Sequence, residues 1–226
     1  IFCHKFMSNI VQKYEKIKKL IKSKLENKNK NKKNPKVIAV SKTFKLEKIL
    51  PLINYGHLDY GENKVQETVE KWTDIKKENK NIKLHLIGRL QTNKVKMAIK
   101  IFDYIHSLDS KKLADKIFTQ QKELNLEKKF FIQVNIGKES QKSGISSSEL
   151  FDFYNYCKNL RLNILGLMCI PPFNEDSNKY FIKMRELNEK LGLKHLSMGM
   201  SADYLSAIKY GSTYVRIGSD IFGQRS

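Results

Sequence analysis

Hydrophobic positions along the chain follow two patterns in turn. Behind Ser8, a good helix N-cap, Ile10, Val11, Tyr14, Ile17, Ile21 and Leu25 recur at helical spacing and predict an opening amphipathic helix. Further on, short apolar runs take over: "KVIAVS", "HLDYG", "KLHLIG", "DYIHSL", "KFFIQVNI", "ILGLMCI", "KHLSMGM" and "TYVRIG" read as eight strands. Between them lie segments of about 8 to 16 residues with helical character. Strands alternating with helices predict βαβ units and a parallel sheet, and eight near-continuous apolar strands fit a closed barrel. A doubly wound open sheet is the alternative. No GxGxxG follows the first strand and no Walker A motif occurs, so the dinucleotide and P-loop fingerprints are absent. The expectation is an α/β fold, a single (β/α)8 TIM barrel over 1–226, with 1–7 as an extension and 27–36 as a Lys/Asn-rich loop.

Composition narrows the class of function. With 40% hydrophobic and 29% charged residues the 226-residue chain reads as a globular protein, and no apolar run approaches the roughly 20 residues that span a bilayer. No membrane association is expected. Cys3, Cys157 and Cys169 are few, widely spaced and odd in number, which argues against a disulfide framework or a zinc site and for a reducing compartment. The five histidines show no metal-ligand spacing, so no metal is expected. The first residues, "IFCHKF", lack the apolar core and small-residue cleavage site of a signal peptide. A cytoplasmic location is expected, with an organellar address upstream of residue 1 left open.

The net charge of +20 raises nucleic acid as a partner. Its distribution argues against one: much of the excess sits on solvated helix faces and in "NKNKNKKNPK", a tract without aromatics for base stacking. Only salt-sensitive, sequence-independent contact with polyanions is expected.

Candidate chemistry gathers where strands end. In a barrel of this type the active site forms from the loops at the carboxyl ends of the strands. Lys42 follows the first run, "GEN" (61 to 63) the second, "GRLQTNK" (88 to 94) the third, Ser107 the fourth and Asn135 the fifth; Met168 and Cys169, "MGMS" (198 to 201) and "RIGS" (216 to 219) follow the rest. Ser201 offers a hydroxyl at the start of a helix, and Gly218 and Ser219 offer backbone N–H groups where strand turns to helix, which suits a phosphate. The plainer alternative for these residues is a serine cap and a glycine turn. A strand-end lysine on the same rim as a phosphate site is more specific, because pyridoxal phosphate (PLP) needs an amine for its aldehyde and an anchor for its phosphate. Lys42 is therefore expected to form an imine. His85 and His106, inside strands, read as structural; Met168, Met198 and Met200 as core or pocket lining; Cys169 as buried. Glu62 and Asn63 read alternatively as turn residues, and a helix is expected from near Ser146.

Several ordered motifs carry a family resemblance: "AVSKT" (39 to 43), "YGENKVQE" (60 to 67), "HLIGRLQTNK" (85 to 94), "QVNIGKESQKSGI" (133 to 145), "GLMCIPP" (166 to 172), "LSMGMSADY" (196 to 204) and "GSTYVRIGSDIFGQR" (211 to 225). From about Lys36 to Arg225 the chain resembles the YggS/PROSC family of pyridoxal phosphate homeostasis proteins. The resemblance implies a barrel like the N-terminal domain of alanine racemase (PLP fold type III) without the C-terminal β domain. It implies an internal aldimine at Lys42, phosphate held by Ser201, Gly218 and Ser219, Arg216 facing the pyridine nitrogen, and Asn63 beside the cofactor. Leu84 departs from the pattern, standing where an aromatic often precedes His-x-Ile-Gly. Arg216 can only donate, so a ring nitrogen facing it is unprotonated and the ring is a weak electron sink; this disfavours transamination.

The implied role is intracellular PLP (vitamin B6) homeostasis by a monomer that carries PLP and buffers it or delivers it to PLP-dependent apo-enzymes, without established turnover. The alternative is a PLP-dependent amino-acid racemase-like enzyme. Racemisation needs an acid/base group on each face of the substrate. Lys42 serves one face; alanine racemase takes the other from a second domain not expected here, which leaves Tyr60 and Tyr204, near the rim, as the substitutes to consider.

Overall fold

The structure, a computed structural model, describes residues 8–26, 34–139, 141 and 143–224. The extension at 1–7 and most of the Lys/Asn-rich tract lie outside the described residues, and Lys36 at the end of that tract already belongs to a strand.

Eight parallel strands close into a barrel in sequence order: β1 (Lys36–Val40), β2 (Asp59–Glu62), β3 (Lys83–Leu86), β4 (Tyr104–Leu108), β5 (Lys129–Gln133), β6 (Asn163–Met168), β7 (His195–Met200) and β8 (Tyr214–Ile217). β8 returns to β1, with Val37 opposite Val215 and Ala39 opposite Ile217, so the sheet has no edge. Helix α1 (Asn9–Glu26) precedes β1, and α2 (Leu46–Asn54), α3 (Val65–Glu78), α4 (Val95–Ile101), α5 (Lys111–Leu124), α6 (Leu150–Asn159), α7 (Ser177–Lys190) and α8 (Tyr204–Lys209) connect successive strands. A single turn, α9 (Ser219–Phe222), follows β8. The Ser8 hydroxyl accepts from Val11 N at 3.4 Å, and Val11, Tyr14, Ile17 and Ile21 are buried, as the opening periodicity predicts.

Side-chain alternation separates two cores. On β1, Val37 and Ala39 face outward into the large cluster between sheet and helices, where Trp72, Phe130, Phe153 and Phe181 are buried. Ile38 faces inward and packs with Tyr104, Phe131, Met168 and Tyr214 in a smaller cluster that fills the barrel. The close approach of β6 to β7 depends on Gly166: a Cβ there would sit 1.7 Å from the His195 carbonyl oxygen, so any side chain would push the strands apart. Leu84, the departure from the family pattern, is buried in the outer core.

Two boundaries differ from expectation. α6 begins at Leu150 rather than near Ser146, because Ile145 bridges to Val134 and Ser146 opens a turn instead, its hydroxyl accepting from Glu149 N. The fifth run stops pairing as a strand at Gln133; beyond it Asn135 and Ser143 line the mouth of the barrel.

Candidate functional site

The inward alternation of the strands carries on past their carboxyl ends. On β1, Ile38, Val40 and then Lys42 share the inner face; on β8, Tyr214, Arg216 and Gly218 do so. The mouth they form is a cavity of about 700 Å³. All six residues singled out from the sequence border it: Lys42 after β1, Asn63 after β2, Ser201 after β7, and Arg216, Gly218 and Ser219 at β8 and its turn. Asn63 is held by backbone packing, since a Cβ on Gly88 would come within 2.4 Å of the Asn63 carbonyl oxygen.

Local geometry corrects three expectations. Ser201 is not at a helix start: it lies in the turn before α8, and Asp203, at the cap position, accepts Met200 N at 2.7 Å. Tyr60 and Tyr204 do not border the cavity. Tyr60 faces outward, with its ring 4.8 Å from Trp72 and 5.1 Å from His57, and Tyr204 is buried against the outer core. Glu62 is no turn residue; it ends β2, fully buried and facing outward.

Glu62 belongs to a clamp on the loop that carries Lys42. Its Oε1 accepts from Ser41 Oγ at 2.7 Å and Trp72 Nε1 at 3.0 Å, and pairs with Lys71 Nζ at 2.9 Å. Lys71 also donates to the Ser41 carbonyl at 3.0 Å and the Phe44 carbonyl at 3.2 Å, while Glu67 Oε1 accepts from Thr43 N at 2.8 Å. Thr43 itself sits at φ 67°, a left-handed conformation costly for a β-branched residue. Main-chain groups on either side of Lys42 are thus tied to β2 and α3. The motif "YGENKVQE" contains two of these residues, but only their outward direction identifies their work.

Arg216 is buried, with Nη1 donating to the Ser197 carbonyl at 2.7 Å and to Ser197 Oγ at 2.8 Å, and Nη2 to the Cys169 carbonyl at 2.8 Å. Burial lowers its pKa from the ordinary arginine value, yet a guanidinium remains charged and can only donate. Ser107, inside β4, and Cys169 are buried away from the mouth, and burial pushes the Cys169 thiol up to about 12, which makes it unreactive. Met168 and Met198 are core residues, whereas Met200 is partly exposed and lines the cavity. Among the described residues no group of three or more His, Cys, Asp or Glu could hold a metal ion, and no helix is long and apolar enough to cross a membrane.

The donor set fits PLP. A strand-end amine suits an aldehyde; hydroxyls and the start of a helical turn suit a phosphate dianion; a buried donor-only cation suits an unprotonated ring nitrogen.

Comparisons with known proteins bear on the same point. No protein-family model matches the chain. The chain is 42% identical over 200 residues to the pyridoxal phosphate homeostasis protein of Aquifex aeolicus, covering 84% of this chain and 87% of that one. The structure of PipY from Synechococcus elongatus with PLP bound superposes with a TM-score of 0.82 at 29% identity, covering 95% of this chain and all of that one. Alanine racemase from Clostridium difficile shares the fold alone, with a TM-score of 0.73 at 16% identity over 96% of this chain and 57% of the racemase. The chain belongs to the pyridoxal phosphate homeostasis protein family.

Proposed function

We propose that this chain binds PLP in the mouth of its barrel and acts in PLP homeostasis, carrying the cofactor and releasing it to apo-enzymes. Lys42 would hold it through Nζ, the amine that the cofactor's aldehyde requires. Ser201 with the Gly218–Ser219 turn holds the phosphate, Arg216 faces the ring nitrogen and Asn63 flanks the ring. When bound, PLP supplies an electrophilic carbon and an electron-withdrawing ring. The single observation that carries this reading is the convergence of six residues from four strands on one cavity of about 700 Å³.

The lining also favours carriage over turnover. Among the described residues bordering the cavity there is no Tyr, His, Cys, Asp or Glu; Lys42, Arg89 and Arg216 are the ionisable side chains. Racemisation asks for a second proton-transfer group facing the lysine, and neither arginine can give up its proton. We propose that the chain works as a cytoplasmic monomer with no specific nucleic-acid partner.

Titrating purified protein with PLP tests the reading. Visible absorbance of covalently held cofactor should appear at one equivalent and be absent from Lys42→Ala, and the loaded protein should interconvert L- and D-alanine no faster than free PLP. Loss-free binding by Lys42→Ala, or racemisation that Lys42→Ala abolishes, would contradict it.

A further inference from the structure

Beneath the cavity a row of polar side chains crosses the barrel interior, and its hydrogen bonds run in one direction. Arg216 Nη1 donates to Ser197 Oγ at 2.8 Å, and Ser197 Oγ lies 2.9 Å from His106 Nδ1. His106 Nε2 is 3.0 Å from His85 Nδ1, and His85 Nε2 is 3.0 Å from Asp59 Oδ1 at the start of β2. A carboxylate only accepts, so a neutral His85 carries its proton on Nε2 and accepts on Nδ1. His106 must then carry its proton on Nε2 as well, and accept on Nδ1 from the Ser197 hydroxyl. At the other end Ser197 Oγ accepts from Arg216, which only donates, and its hydroxyl proton remains for His106 Nδ1, in keeping with this assignment. The two ends agree, so the chain is fully satisfied.

The surroundings keep both rings neutral. Burial lowers the pKa of His85 and of His106, and the rings stack on Tyr104 at 4.3 Å and Phe131 at 4.4 Å. Tyr214 closes the layer from β8. Burial pushes the Asp59 carboxyl upward, but the hydrogen bond from His85 and the nearby Lys36 ammonium at 3.8 Å hold it below its ordinary value, so it is ionised.

Arg216 needs such a chain because its partners, two backbone carbonyls and a hydroxyl, are neutral. The Asp203 carboxylate also favours its charge without making any of these hydrogen bonds, and a buried charge hydrogen-bonded only to neutral groups remains costly. Each acceptor atom in the row faces Arg216 and each donated proton points toward Asp59, so the aligned dipoles and the terminal carboxylate all oppose the buried cation. We propose that Asp59, acting through His85, His106 and Ser197, positions the Arg216 guanidinium, so that the amino-terminal end of the barrel governs how the ring end of PLP is held. This rests on the reading that PLP occupies the mouth with Arg216 at its ring nitrogen. Asp59 is a positioning residue and touches no ligand.

Two measurements test it. Nitrogen NMR of the histidine rings in isotope-labelled, cofactor-free protein should find His85 and His106 neutral with the proton on Nε2; a proton on Nδ1 of either ring would overturn the proposal. This needs no substitution, so a variant that fails to fold does not protect the idea. PLP affinity is then measured for Asp59→Asn, Ser197→Ala and the double variant. Each single change should weaken binding about tenfold, as for loss of a hydrogen bond to a charged group. The double variant should bind no more weakly than Ser197→Ala, because the chain is already cut. An additive loss of about a hundredfold would overturn the proposal and leave the cavity reading intact. Failure of the unsubstituted protein to bind PLP would overturn the cavity reading, and the NMR result would still decide the tautomers.

Discussion

Replacing Lys71 with Met should destabilise the protein far more than its place on the rim of α3 suggests. The substitution keeps an unbranched side chain one heavy atom shorter and removes the charge. Glu62, whose side chain is 0% exposed, loses a cation 2.9 Å away, and the carbonyls of Ser41 and Phe44 lose a shared donor. Stripping one partner from a buried ion pair costs about 3–5 kcal/mol, because the remaining charge is left uncompensated. Ser41 Oγ and Trp72 Nε1 still donate to Glu62, which favours the lower end of that range. A loss of about 3 kcal/mol corresponds to a fall in Tm of roughly 6–12 °C for a chain of this size. Urea unfolding followed by circular dichroism at neutral pH measures it. Adding Glu62→Gln should recover most of the loss, since the amide still accepts from Ser41 and carries no charge. Lys77→Met, which breaks the exposed pair with Asp74, serves as a control expected to change nothing measurable. A cost for Lys71→Met no greater than the control, or no recovery in the double variant, would refute the clamp as an energetic unit.

Removing both hydroxyls with Ser201→Ala and Ser219→Ala should weaken binding of PLP much more than of unphosphorylated pyridoxal, because charge-assisted bonds to a dianion outweigh neutral ones; equal losses for both ligands in a fluorescence titration would contradict the phosphate assignment. Acid should destabilise the fold as pH falls from about 6.5 to about 4. His57 accepts from Tyr14 on Nδ1 and donates from Nε2 to the Asp59 carbonyl, and burial lowers its pKa from 6.5 to about 4. Below 6.5 the unfolded chain binds a proton that the folded chain refuses, which costs about 3 kcal/mol by pH 4. His57→Gln should flatten that part of the stability curve measured by urea unfolding, and an unchanged slope would count against it.

The barrel was legible because its signals are local and repeated. Eight apolar runs with helices between them leave few topologies, and "KVIAVS" and "TYVRIG" correspond to strands β1 and β8, which pair to close the sheet. Lys42 and Gly218 were picked out because they follow strand ends, and Arg216 through the family resemblance; in the structure all three lie on the inner parity of β1 and β8 and border the cavity. Side-chain direction beyond the strands was the missing information. Glu62 is one residue from Asn63, yet it faces α3 while Asn63 faces the cavity, and reading both as one turn hid the clamp. Tyr60 misled in the same way, being near the rim in sequence and on the outer face in space. The row from Asp59 to Arg216 joins residues from five strands, with 91 positions separating His106 from Ser197. No local pattern encodes such pairing; only barrel closure brings those strands together.

The most direct test of the account is to load the protein with PLP, reduce it with borohydride, digest it and locate the added mass by peptide sequencing. The visible absorbance should disappear on reduction, and the phosphopyridoxyl group should lie on Lys42 alone. A label on another lysine, or no label in protein that retains PLP, would contradict it.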